Sequence, residues 1–167
     1  MTEPIYVPKK NELLTLLLTV LACTCGRAQT YEVNVHPGQE LMTIIQILAE
    51  QYPEPNASDY QADFEKHFRP FAKHAAVEQL RSIPGKVYTD LPEMGWCFSD
   101  FPNFKLHLPE ENSWYELYGK DTVQQALRLA IDFAKDSVFW SFYQAHQRDY
   151  QRWAKEVEHT SCRIGFR

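Results

Sequence analysis

A chain of 167 residues, 44% hydrophobic and 14% aromatic, can bury one ordinary core, and its composition excludes a fibrous repeat or a disordered chain. A formal charge of -5 at pH 7 and a pI near 5.7 give no broad basic footprint for a phosphate backbone, which sets nucleic acid aside as a partner. The pattern predicts a mainly α protein: a signal peptide over 1–28, one helical domain over 29–159 that opens with a short strand, and an irregular tail over 160–167.

The leader comes first. Lys9 and Lys10 precede the apolar run "LLTLLLTVLA" from Leu13 to Ala22, and Gly26 and Ala28 occupy the -3 and -1 sites of a signal-peptidase cut between Ala28 and Gln29. The run has 10 residues, against the roughly 20 that a helix needs to cross a bilayer, so it reads as a secretory signal rather than a permanent span. The stretch "VLAC" offers an alternative, lipidation of Cys23, which would tie the chain to the cell envelope. Cleavage after Ala28 leaves Cys97 and Cys162 as the mature cysteines, too few to define a disulfide framework, and whether they pair stays open.

"YEVNVH" alternates like a short strand, which Pro37 and Gly38 end. In "QELMTIIQILAEQY" the residues Leu41, Ile44, Ile45 and Leu48 fall on one helical face, and "YPEPN" breaks the helix. Ser58 and Gln61 resemble a capping box for a second helix carrying Tyr60, Phe64 and Phe68, which Pro70 stops. A third helix from Phe71 places Ala76, Val77, Leu80 and Ile83 together and ends at "PGK". Residues 84 to 120 hold four prolines and read mostly as loop, with "FKLHL" as a short strand. Asp121 and Gln124 form a second cap-like pair before a stripe of Val123, Leu127, Ala130 and Ala134. Phe139, Tyr143, His146, Tyr150 and Trp153 then step by 4, 3, 4 and 3, a seam of rings along one helix reaching to Glu158. The total is about five helices around a Pro-rich loop region between residues 84 and 120.

The chemical candidates are few. On one helix His67 and His74 would lie about 10 Å apart along the axis, whereas zinc ligands sit about 2 Å from the metal, so both are read as scaffold histidines. None of the six histidines begins an HExxH helix. GxSxG and a glycine-rich phosphate loop are absent from the sequence, and Glu110 with Glu111 read as solvated loop carboxylates. The tryptophans and tyrosines could stack on sugars, but their helical spacing favours core packing. No catalytic, cofactor-binding or metal-ligating residue is therefore assigned.

The segments "HPGQELMTIIQILAE", "FRPFAKHAAVEQL", "FPNFKLHLP" and "FYQAHQRDYQ" occur in an order and spacing that resembles the N-terminal part of a secreted bacterial domain-of-unknown-function family, DUF4932-like. Its longer members carry an HExxH segment further along and look like zinc metallopeptidases. The resemblance covers approximately residues 31 to 158 and is most specific at Glu40 and Leu41 after Pro37, at Phe68 with His74, Ala76 and Val77, and at Leu106 before Pro109. Gln39 stands where the family has a basic residue, so a charged contact there is not carried over. The ligands and glutamate base of the family lie beyond this region, so zinc is implied only for the full-length family.

The resemblance implies a non-catalytic portion of an exported metallopeptidase-like protein, truncated before the HExxH segment and inactive alone. Such a half-domain would leave apolar helix surface open to self-association. A self-sufficient periplasmic or surface module binding glycans or peptides is the alternative expectation.

Overall fold

The structure, a computed structural model, describes residues 33–49, 59–83 and 90–164, with side chains to residue 159. Cys23, the cut between Ala28 and Gln29, the Ser58 cap, the "YPEPN" and "PGK" breakers and the last three residues of the tail lie outside the described residues. Eight α-helices and one two-stranded ladder are present among those described.

Helix α1, Pro37–Leu48, is the hub. Leu41, Ile44, Ile45 and Leu48 are buried, as their spacing predicts, Met42 is buried beside them, and α1 packs against several elements introduced below. The expected strand before α1 does not form among residues 33 to 36, which have no ladder partner among the described residues. Pro37 and Gly38 also differ from expectation, because they make the first helical turn instead of preceding it. Proline has no N–H to lose at that position and its φ is already helical.

Helix α2, Asp59–Phe68, buries Phe64 and Phe68 on the predicted stripe. A 3-10 turn, Arg69–Phe71, follows at Pro70. Helix α3, Ala75–Ser82, starts four residues later than the sequence suggests, because His74 supplies its cap: the ring Nδ1 accepts from the Ala76 amide at 3.1 Å.

The region read mostly as loop is more ordered than expected, and the short strand expected in "FKLHL" is present at Lys105–Leu106. It contains α4, Asp90–Glu93, a 3-10 turn over Met94–Cys97, strands β1 (Phe98–Ser99) and β2 (Lys105–Leu106), and α5, Ser113–Tyr118. Pieces of two to six residues are too short to show a period, and they are held by partners distant in sequence. The strands pair antiparallel with Phe98 opposite Leu106 and Ser99 opposite Lys105. Tyr118 donates to the Asp90 carboxylate at 2.8 Å, and Asn112 caps α5 by accepting from the Trp114 amide at 2.8 Å. The 3-10 turn over Met94–Cys97, α3, α4 and α6 pack on α1.

Helix α6, Lys120–Asp136, buries Val123, Ala126, Leu127, Ala130, Phe133 and Ala134. Gly119, at φ 83, is its N-cap, so Asp121 lies in the first turn and does not cap. The expected single closing helix is two: α7, Phe139–Ala145, and α8, Gln147–Ile164. His146 leaves helical geometry at φ -96 and ψ 8, and its ring Nδ1 donates to the Phe142 carbonyl at 2.9 Å, beside the backbone bond from its own amide at 3.2 Å. The tail is also corrected, since α8 continues through Ile164 instead of fraying at residue 160. No helix among the described residues is long and apolar enough to cross a membrane.

Candidate functional site

The break at His146 does not disturb the seam, because Phe139, Tyr143, His146 and Tyr150 are all buried on either side of it. What the seam meets is a carboxylate. Tyr150 donates to Glu40 Oε1 at 2.8 Å from α8, and Tyr60 donates to the same oxygen from α2 in a short hydrogen bond. Two helices far apart in sequence, α2 and α8, thus converge on one atom of α1.

Rings enclose this contact. Tyr60 lies edge-on to Phe142, His146, Tyr150 and Trp153, with centroids 5.3 to 6.3 Å away. His146 faces an acceptor at each ring nitrogen, the Phe142 carbonyl at Nδ1 and the Asp63 carboxylate at 3.3 Å from Nε2. A ring carrying both protons donates to both. Burial pushes the Glu40 carboxyl above the ordinary carboxylate range, and the Tyr60 and Tyr150 hydroxyls and the charge of His146 pull it partly back. Burial and the Glu40 charge together push Tyr60 and Tyr150 far above the usual phenol range. Neither hydroxyl is a source of phenolate. The cluster is built to hold helices together.

The other histidines are also at work in the scaffold. His67 Nε2 donates to the Ser137 carbonyl at 2.8 Å, joining α2 to the end of α6. Because His74 accepts at Nδ1, its Nε2 carries the proton and points it at Asp136, 3.3 Å away. The two are engaged by different partners, as scaffold histidines should be. Among the described residues no three His, Cys, Asp or Glu side chains converge as metal ligands. Glu110 and Glu111 are exposed, and Cys97 is a free buried thiol whose pKa burial raises.

A second feature lies at the surface. Trp96 is 60% exposed and rests on His36 with ring centroids 4.3 Å apart. His36 meets Phe101 edge-on at 5.4 Å, and Phe101 lies parallel to Trp140 at 6.2 Å. Within this row His36 Nδ1 is buried and has no hydrogen-bond partner among the described residues. The loop that carries Phe101 has Asp100 and Phe104 at φ 54 and 55, and Val138, two residues before Trp140, stands at φ 52. Positive φ at three non-glycine residues is costly and marks a segment whose shape the surrounding packing imposes.

Sequence reasoning placed Tyr60, His146 and Tyr150 on apolar helical faces but missed that Glu40 joins them. The available signal was its position four residues before Ile44, on the buried face of α1. Comparison with protein-family models, curated proteins and solved structures finds no match for this chain.

Proposed function

We propose that this chain is the non-catalytic N-terminal portion of an exported bacterial zinc-metallopeptidase-like protein, a helical support for a catalytic half that carries the HExxH segment. The observation that carries the reading is the use made of the histidines. His67, His74 and His146 each direct ring nitrogens at a carbonyl, an amide or a carboxylate of the scaffold, so binding a metal would first break bonds that join helices. Export rests on the leader pattern, with release after Ala28 or retention through Cys23. The purified chain, incubated with zinc and a mixed peptide library, is expected to give no chelator-sensitive hydrolysis. Cleavage that a chelator abolishes would overturn the reading.

The exposed Trp96 ring, at the end of a partly buried row, favours a second reading, a self-sufficient module that binds glycans or peptides. Trp96 leaves apolar surface in water beside His36, an arrangement suited to a ligand with one flat apolar face and hydroxyl or amide groups at its edge. On an array of neutral glycans and extended peptides, the chain is then expected to retain one class and Trp96→Ala to lose it by about tenfold or more, the loss of roughly 1.4 kcal/mol. Equal retention by Trp96→Ala removes this reading.

A further inference from the structure

We propose that Glu40, Tyr60 and Tyr150 form a protonation-linked latch that fastens the terminal helix α8 onto α1 and α2 and loosens it as the surroundings turn from acid to alkaline. Helix α8 is narrowly attached. Of its residues 147 to 159, only Tyr150 and Ala154 are buried, with Trp153 packed in part beside them. The Tyr150 hydroxyl ends on Glu40 Oε1, and the Tyr60 hydroxyl reaches the same oxygen. Below Tyr150, Glu158 also accepts from the Val33 amide at 2.8 Å. A helix with so few buried residues can open locally without unfolding the domain, and the Glu40 contact is central to the seam that closes it.

The charge state of Glu40 sets the strength of that contact. The ionisable groups facing it are Tyr60 on α2, Tyr150 on α8, Tyr143 on α7 and His146 at the α7 to α8 junction, with Asp63 of α2 behind His146. A protonated carboxyl rests among these rings uncharged and still accepts from both hydroxyls, whereas the ionised form bears its charge where water is largely excluded. Burial is the largest influence and raises the folded-state pKa. A raised pKa means that the stabilisation is fully present below the unfolded-state value and is lost as pH rises through the folded-state value. The loss falls on α8, since Tyr150 is its main buried anchor.

Hydrogen–deuterium exchange of the full chain tests this, with α8 amides corrected for intrinsic chemical exchange and compared with α1 and α6. As pH rises from about 5 to about 8, α8 protection is expected to fall relative to the core helices, the direction that a raised Glu40 carboxyl gives. Glu40→Gln, neutral at every pH, is expected to flatten that dependence. Tyr150→Phe keeps the ring and removes one donor, and is expected to lower α8 protection at every pH. A Glu40→Gln protein with the same pH profile as the native chain overturns the proposal. So does α8 exchange that changes only in step with α1 and α6, or a Tyr150→Phe protein with native α8 protection.

Discussion

Gly95→Ala is expected to lower stability by about 3 kcal/mol or more, the upper end of the cost of overpacking. A methyl group at Gly95 would fall on the backbone of Gly38 and on the Gln39 amide, and one at Gly38 would fall on the Gly95 carbonyl and approach the Phe98 ring to 3.1 Å. The first two obstacles are main chain, which no rotamer change can move aside. This is the contact where the N-terminal turn of α1 meets the 3-10 turn over Met94–Cys97, so relief would require the hub helix to shift against its neighbours. Circular dichroism should show the thermal midpoint falling by roughly 10 °C for a domain of this size. Gly38→Ala strains the same contact, and the double substitution should cost less than the sum of the two. A Gly95→Ala protein that melts with the native chain would show that the two turns are not in contact.

Phe68→Ala is expected to cost about 4 kcal/mol, within the range for removing a fully buried phenylalanine. Its exposure is 0%, and it lies against Phe142 at 4.6 Å, Phe64 at 5.6 Å and Phe133 at 6.0 Å between ring centroids. It therefore fills the space where α2, α6 and α7 meet, and those rings would have to collapse inward to close the void. Phe71, three residues on, is only partly buried, and its truncation should cost distinctly less. Urea denaturation of the two variants side by side gives the comparison, and equal midpoints would place Phe68 outside the core.

Much of the fold was legible wherever a helix was long enough to repeat its pattern. The α1 stripe, the phenylalanines of α2 and the buried face of α6 follow from spacing alone, because each buries one side of a helix of at least ten residues. The break at His146 was hidden for a physical reason. A single non-helical residue changed the backbone without moving the rings off the buried face, so the steps from Phe139 to Trp153 still read as one helix. Apart from the strand in "FKLHL", the residues between 90 and 118 were unreadable because their elements are too short to show a period and those at Asp90–Glu93 and Met94–Cys97 pack on α1, much earlier in the chain. Glu40 was missed for a related reason. Helical phase gives the face a carboxylate is on, but not the tyrosine 110 residues away that binds it.

The leading segment of the domain is clasped by its closing helices. Tyr143 donates to the Val35 carbonyl at 2.6 Å, and Glu158 accepts from the Val33 amide at 2.8 Å, across separations of 108 and 125 residues. A ribosome delivers this chain from the other end, so residues 33 to 36 wait without those partners until α7 and α8 have emerged. The first described stretch cannot be secured before both closing helices have been made, and a nascent chain stalled short of Phe139 would hold Glu40 without its Tyr150 partner.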